Sequence, residues 1–112
     1  SYTEMLKEIG IKSTPLINSF NTSVFAQYTI QLEQRDFIKS ELQKKGIPTA
    51  IHYPTILPLQ PAIFKKYNQG NIKLDLPNSI NISNKVLSLP FHPYLSKSDQ
   101  TKVVSMIDSI IN

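Results

Sequence analysis

The sequence predicts an α/β (α+β) domain in which a small mixed or antiparallel sheet of about three strands packs against helices. Three features carry this expectation. One run alternates with period two, several segments keep helical spacing and carry start or stop signals, and two further short β-rich runs end on proline. A chain of 112 residues has room for one core and one domain.

The elements follow in order. Tyr2, Met5, Leu6 and Ile9 keep helical spacing and Gly10 supplies a stop, but no start signal stands out before them. The chain opens on Ser1 rather than Met, already inside this helical pattern, and is expected to be part of something longer. Residues 12–23 carry Pro15, Asn18 and Asn21 without a sustained period and read as a linker. From Val24 to Leu32, alternation puts Val24, Ala26, Tyr28, Ile30 and Leu32 on one face, with Phe25, Gln27, Thr29 and Gln31 on the other. Asp36 can then open a helix that buries Phe37, Ile38 and Leu42, with Lys44 and Lys45 at its negative end and Gly46 and Pro48 beyond it.

Thr49–His52 reads as a second short strand closed by Pro54. A short helix is expected over Pro61–Tyr67, followed by a surface loop at Asn68, Gln69, Gly70 and Asn71. Residues 78–86 fit either alternation or a helix capped by Asn78. Val86–Leu89 is a third strand stopped by Pro90. The last helix starts at Ser96 with Asp99 three residues on, and its apolar stripe is Val103, Val104, Ile107, Ile110 and Ile111.

Composition excludes several chemistries. There is no cysteine, hence no disulfide, thiolate nucleophile or Cys-based zinc site, in keeping with a cytoplasmic setting. The formal charge of +4 is dispersed, and no basic run marks a nucleic-acid footprint. No apolar stretch has the length of a membrane span. Gly10, Gly46 and Gly70 lie too far apart to build a phosphate-cradling loop, and the two histidines, forty positions apart, have neither each other nor a carboxylate at helical metal-site spacing. No serine sits on a nucleophile elbow. The sequence thus nominates no catalytic residue and no metal ligand.

Three segments can reach a ligand. His52-Tyr53-Pro54 ends a strand and enters the loop Leu57-Pro58-Leu59-Gln60-Pro61, where an imidazole can exchange a proton or donate to an oxygen and a phenol can stack and hydrogen-bond. The alternative role for His52 is a hydrogen-bonded boundary residue, and for Tyr53 a core aromatic with a wet tip. Leu89-Pro90-Phe91-His92-Pro93-Tyr94-Leu95 can line a groove, but reads first as a rigid connection with Phe91 and Tyr94 packed beneath it. On the first strand Tyr28 belongs to the apolar face, whereas Gln27 points the other way and needs a partner if that face is covered.

Four motifs in register, Ser23-Val24-Phe25-Ala26-Gln27-Tyr28-Thr29-Ile30, Arg35-Asp36, Gly46 to Pro54 with Leu59-Gln60-Pro61, and Val86 to Leu95, resemble the C-terminal small domain of the DegT/DnrJ/StrS family. These are fold-type I pyridoxal-phosphate enzymes that aminate sugar nucleotides, and the likeness leans toward members acting on 3-keto sugars of UDP-linked surface-polysaccharide precursors. Two positions depart from the family pattern: Pro58 stands where many relatives have His or Asn, and Ile80 where they often have an acid.

The resemblance implies residues 1–22 as an incoming helix end and linker and residues 23–112 as the small domain. It also implies pyridoxal 5'-phosphate in the full-length enzyme, an amino-acid donor such as glutamate, a homodimer, and His52 and Tyr53 as substrate-binding residues at the cleft entrance. The Schiff-base lysine, the carboxylate facing the pyridine nitrogen and the phosphate-binding residues belong to the family's large domain, so this chain alone is expected to bind no cofactor and to be inactive. The competing expectation is a self-standing, non-catalytic binding module with a mildly basic surface. A third is a regulator that keeps the fold without catalysis.

Overall fold

A computed structural model describes residues 1–67 and 75–112. In chain order they form helix α1 (Tyr2–Glu8), strand β1 (Tyr28–Gln31), helix α2 (Arg35–Lys44), a 3-10 turn (Leu57–Leu59), helices α3 (Pro61–Tyr67) and α4 (Pro77–Ser83), strand β2 (Val86–Leu89) and helix α5 (Lys97–Ile111). The loop expected at 68–71 lies outside the described residues.

The sheet is antiparallel and two-stranded, with Tyr28 opposite Leu89, Thr29 opposite Ser88 and Ile30 opposite Leu87. The third strand expected at Thr49–His52 shrinks to a single bridge on the other edge of β2. There Ala50 N–H donates to the Ser88 carbonyl at 3.0 Å, and Ser88 N–H donates back to the Ala50 carbonyl at 2.8 Å. Pro48 and Pro54 bracket this segment and supply no backbone donor to lengthen the pairing.

β1 is also shorter than its alternation predicts. Phe25 has φ of +46°, outside the strand region, so the chain turns there and Val24 is 88 % exposed instead of facing the core. The turn brings the Phe25 ring onto Tyr28 and Phe91, with centroids 5.3 Å from each. Tyr28 stands between these rings and that of Tyr2, 4.9 Å away. Alternation resumes from Tyr28 onward, where Tyr28, Ile30 and Leu32 are buried.

That buried face, joined by Leu87 and Leu89, packs into one core with Tyr2 and Leu6 of α1, Ile11, Ile38 and Leu42 of α2, Ile47, and Val103, Val104 and Ile107 of α5. α5 touches both α1 and α2 and so closes the core over the sheet. Ile110 packs against the cluster, while Ile111 at the end of the stripe is 37 % exposed.

Local signals explain the helix ends. α1 does have a start: Ser1 Oγ accepts from Glu4 N–H and the Glu4 side chain returns to the Ser1 backbone, a capping box that the apolar spacing alone does not reveal. Ser96 caps α5 as expected, accepting from Asp99 N–H at 3.0 Å and donating to the Asp99 carboxylate at 2.6 Å. That bond holds the Asp99 carboxyl below its ordinary pKa. α4 begins at Pro77 after Leu76, so Asn78 lies inside it rather than capping it. In α2 the buried face is Arg35, Ile38 and Leu42, an i, i+3, i+7 stripe, and Phe37 is 53 % exposed because it lies about 100° around the helix from Ile38.

Candidate functional site

Opposite the core, the sheet carries a short polar ladder. The backbone groups of Ser88 are committed to Ala50, so Thr29 and Ser88 form a pair of β1 and β2 without mutual backbone bonds, the type in which side chains approach most closely. Their hydroxyl oxygens lie 2.8 Å apart, and Ser88 Oγ is also 3.1 Å from Nδ1 of His52. Ser88 is 6 % exposed, a buried hydroxyl inside an otherwise apolar strand. The Ala50 bridge therefore sets the position of His52 in the chain, and the Ser88 hydroxyl engages one edge of its ring.

His52 lies at the meeting point of two clefts. The first, about 470 Å³, is walled by Tyr53, Thr55, Ile56, Leu57 and Gln60 on one side and by Ser79, Ile82, Ser83 and Val86 on the other. The second, about 400 Å³, runs past Ser88 to Gln27, Phe91 and His92. Tyr53 is 69 % exposed, its ring edge-on to the His52 imidazole with centroids 5.5 Å apart. It stands at the cleft rim and is not a core aromatic. Gln60 donates from Nε2 to the Thr55 carbonyl at 3.2 Å and closes the loop that follows Pro54. Pro58 falls within the 3-10 turn of that loop.

The opposite wall depends on Arg35. Its buried guanidinium donates from Nη1 to the carbonyls of Ser83 at 3.1 Å and Val86 at 3.0 Å, and from Nε to Asp36 at 2.7 Å. Arg35 thus ties the end of α4 and the start of β2, both lining the first cleft, to α2. A buried guanidinium needs acceptors for its fork of donors, and these two carbonyls supply them.

The folded chain brings together His52, Tyr53, Gln27 and His92, which the sequence placed in separate candidate segments. Gln27 is exposed at the second cleft, and Nδ1 of His92 accepts from the Tyr94 N–H at 3.2 Å. Tyr94, expected to pack beneath its loop, is 91 % exposed, whereas Phe91 does pack, on Phe25 and Tyr28. Tyr28 is core, as read. Thr29 and Ser88 were not singled out. Their signal was present: Thr29 lies in the polar register of β1, and Ser88 is the one hydroxyl in an otherwise apolar β2.

Among the described residues no group of His, Asp and Glu could hold a metal ion, and no helix is long and apolar enough to cross a membrane.

The sequence matches the family model described as the DegT/DnrJ/EryC1/StrS aminotransferase family over residues 1–108. The chain belongs to this family. It is 42% identical over 94 residues to a UDP-2-acetamido-2-deoxy-3-oxo-D-glucuronate aminotransferase of Pseudomonas aeruginosa, covering 84% of this chain and 24% of that protein. Over 110 residues it is 36% identical to a pleiotropic regulatory protein of Geobacillus stearothermophilus, covering 96% of this chain and 28% of the relative. Its fold matches the crystal structure of a DegT/DnrJ/EryC1/StrS aminotransferase from Brucella abortus with a TM-score of 0.81 at 39% identity, over 97% of this chain and 28% of that one. The chain thus spans about a quarter of the length of the curated relatives it matches.

The linings of the two clefts bear on pyridoxal phosphate. Neither includes a lysine, arginine or carboxylate, so neither offers an amine to hold the cofactor aldehyde, an anion for its ring nitrogen or a cation for its phosphate. The residues of these clefts do not fit the cofactor by themselves, and no step through it is derived from them.

Proposed function

We propose that this chain is the C-terminal small domain of a pyridoxal-phosphate-dependent aminotransferase that moves an amino group, from glutamate, onto a nucleotide-linked keto sugar in surface-polysaccharide biosynthesis. The observation that carries the reading is the 42% identity to an enzyme named for a UDP-linked 3-oxo sugar. In this reading residues 1–22 bring in the chain and residues 23–112 form the small domain. The cofactor and its lysine belong to the remainder of a cytoplasmic, homodimeric enzyme, and the chain alone is inactive.

Surface composition supports this. Leu16, Phe20 and Val24 are 93 %, 87 % and 88 % exposed, more apolar side chain than a self-contained domain leaves in water along one segment. The radius of gyration is 16.5 Å, against about 13 Å for a compact domain of this length. Both features suit a unit that lies against a larger body.

His52 and Tyr53 serve the sugar-nucleotide. Tyr53 offers a face for a ring and a hydroxyl for an oxygen, and His52, held from behind by Ser88, offers its other nitrogen. Both position substrate and neither makes or breaks bonds. Changing His52 to Ala in the full-length enzyme should lower kcat/KM for the keto sugar by about ten-fold, the cost of one lost hydrogen bond, and leave the glutamate half-reaction unchanged. Equal loss in both half-reactions would count against the assignment.

A second reading rests on the relative named as a pleiotropic regulatory protein, which aligns with almost the whole chain. On that reading the fold serves binding without catalysis. Single-turnover amination of a UDP-linked 3-keto sugar by the full-length protein decides between the two.

A further inference from the structure

We infer that Thr29 and Ser88 are positioning residues that fix His52 as its Nε2–H tautomer and aim that N–H, as a donor, away from β2 at an oxygen of the bound ligand. The inference deepens the proposed role of His52, since it names the ligand group this residue recognises: an acceptor oxygen, as on a phosphate, a carboxylate or a sugar carbonyl.

Proton accounting on the ladder selects the tautomer. Thr29 Oγ1, Ser88 Oγ and His52 Nδ1 lie in series, 2.8 Å and 3.1 Å apart. Each hydroxyl has one proton to give, and a neutral imidazole has one N–H and one bare nitrogen. If Nδ1 carried the proton, it would donate to Ser88, Ser88 would donate to Thr29, and the Thr29 proton would be left over. Thr29 Oγ1 makes no other hydrogen bond among the described residues. With Nδ1 bare, Thr29 donates to Ser88 and Ser88 donates to Nδ1, so every proton in the series is used.

Ring geometry then sets the direction. Nδ1 and Nε2 sit on different edges of the imidazole, so a ring engaged at Nδ1 by a strand residue directs Nε2 away from that strand. Ser88 lines only the second cleft, whereas His52 lines both. Nε2–H is therefore presented on the side of the first cleft, beside Tyr53. The hydroxyl pair acts through His52 and touches no ligand in this arrangement, in the way that partners of a functional histidine commonly fix its ring and tautomer.

The chain contains two histidines, so long-range ¹H–¹⁵N spectra of the imidazoles resolve both readily. At a pH where His52 is neutral, its Nδ1 should resonate as a bare nitrogen and its Nε2 as a protonated one. His92, whose Nδ1 accepts from the Tyr94 N–H, should show the same pattern and serves as internal reference. Ser88→Ala should remove the preference at His52 and leave His92 unmoved, and Ser88→Thr, which keeps a hydroxyl, should restore it. A protonated Nδ1 in the unaltered chain overturns the inference without any variant, and so does an unchanged His52 pattern in Ser88→Ala. In the full-length enzyme Ser88→Ala should cost about ten-fold in keto-sugar kcat/KM with the glutamate half-reaction intact, as for loss of one hydrogen bond. If His52→Ala lowers sugar use while the tautomer proves to be Nδ1–H, the inference falls and the proposed function stands. If the tautomer is as stated and His52→Ala changes nothing, the substrate-binding assignment of His52 falls and takes the ligand-donor part of the inference with it, leaving only the order of protons along the ladder.

Discussion

Tyr2 shows how much a single residue can disclose. Its ring is core, stacked at a tilt on Tyr28, yet its hydroxyl is buried without a hydrogen-bond partner among the described residues. Tyr28, by contrast, shares its hydroxyl with Thr3 at 2.6 Å. Burial raises the pKa of both phenols, for Tyr2 with a further push from Tyr28 and for Tyr28 against the opposing pull of Thr3. An unfolded tyrosine titrates near its ordinary value of 10.0, so above that pH the unfolded chain gives up protons that the folded chain retains. Stability contributed by these groups is full below about pH 10 and falls as pH rises toward the folded values. Tyr2→Phe removes an unpaired buried hydroxyl and should be neutral or stabilising by about 1 kcal/mol in urea titrations at neutral pH, with a shallower alkaline decline. A destabilisation larger than that would mean the hydroxyl has a partner. The apolar spacing of α1 predicts burial of Tyr2, but an orphaned hydroxyl depends on which atoms surround it and has no sequence signal.

At the scale of elements, legibility followed the reach of the signal. α5 was readable because its cap and its stripe are local: Ser96 bonds within the first turn, and Val103, Val104 and Ile107 repeat along one face. Ser96→Ala should lower stability by about 1 kcal/mol, while Ser96→Asp, which still presents an acceptor to the first turn, should largely keep it. Thermal unfolding that shows both variants equal to the parent would remove the cap from the account. The strands were less legible. Alternation from Val24 predicted a long β1, but the backbone of Phe25 leaves the strand region so that its ring can join Tyr28 and Phe91, a partner far along the chain. Likewise the β propensity at Thr49–His52 is real, but its pairing partner is one residue, Ser88. α4 has no buried residue and few good helix formers, and it is joined to the rest through the Arg35 bond to the Ser83 carbonyl. That tether crosses from α2 to α4, and no local pattern announces it.

Across the whole molecule, one core does the holding and the opposite face of the sheet carries the polar ladder of Thr29, Ser88 and His52. Ile107 is fully buried where α5 closes over the sheet, so Ile107→Ala should cost about 2–5 kcal/mol, a large share of the stability of a domain this size. Denaturant titration with an unaltered m-value would register this as lost stability, and a cost below about 1 kcal/mol would show that the site collapses around the gap. The same architecture explains the clefts. Tyr28, Ile30, Leu87 and Leu89 use one register of the two strands for packing, which leaves Thr29 and Ser88 in the other register to meet His52. The same fold is found within a longer chain, the Brucella abortus aminotransferase, of which it matches 28%.

The sequence by itself determined α3, α5 with its Ser96 cap, the apolar register of the two strands, the His52-Tyr53 candidate and the family resemblance, because each rests on neighbours within a few turns or on motifs in fixed order. Only the tertiary structure decided which candidates share a site. His52, Ser88 and Thr29 come from three separate stretches of chain, and their alignment follows from the Ala50 bridge and from a strand register that no local spacing encodes. Side chains that meet across a sheet are chosen by pairing, and pairing is a property of the folded chain.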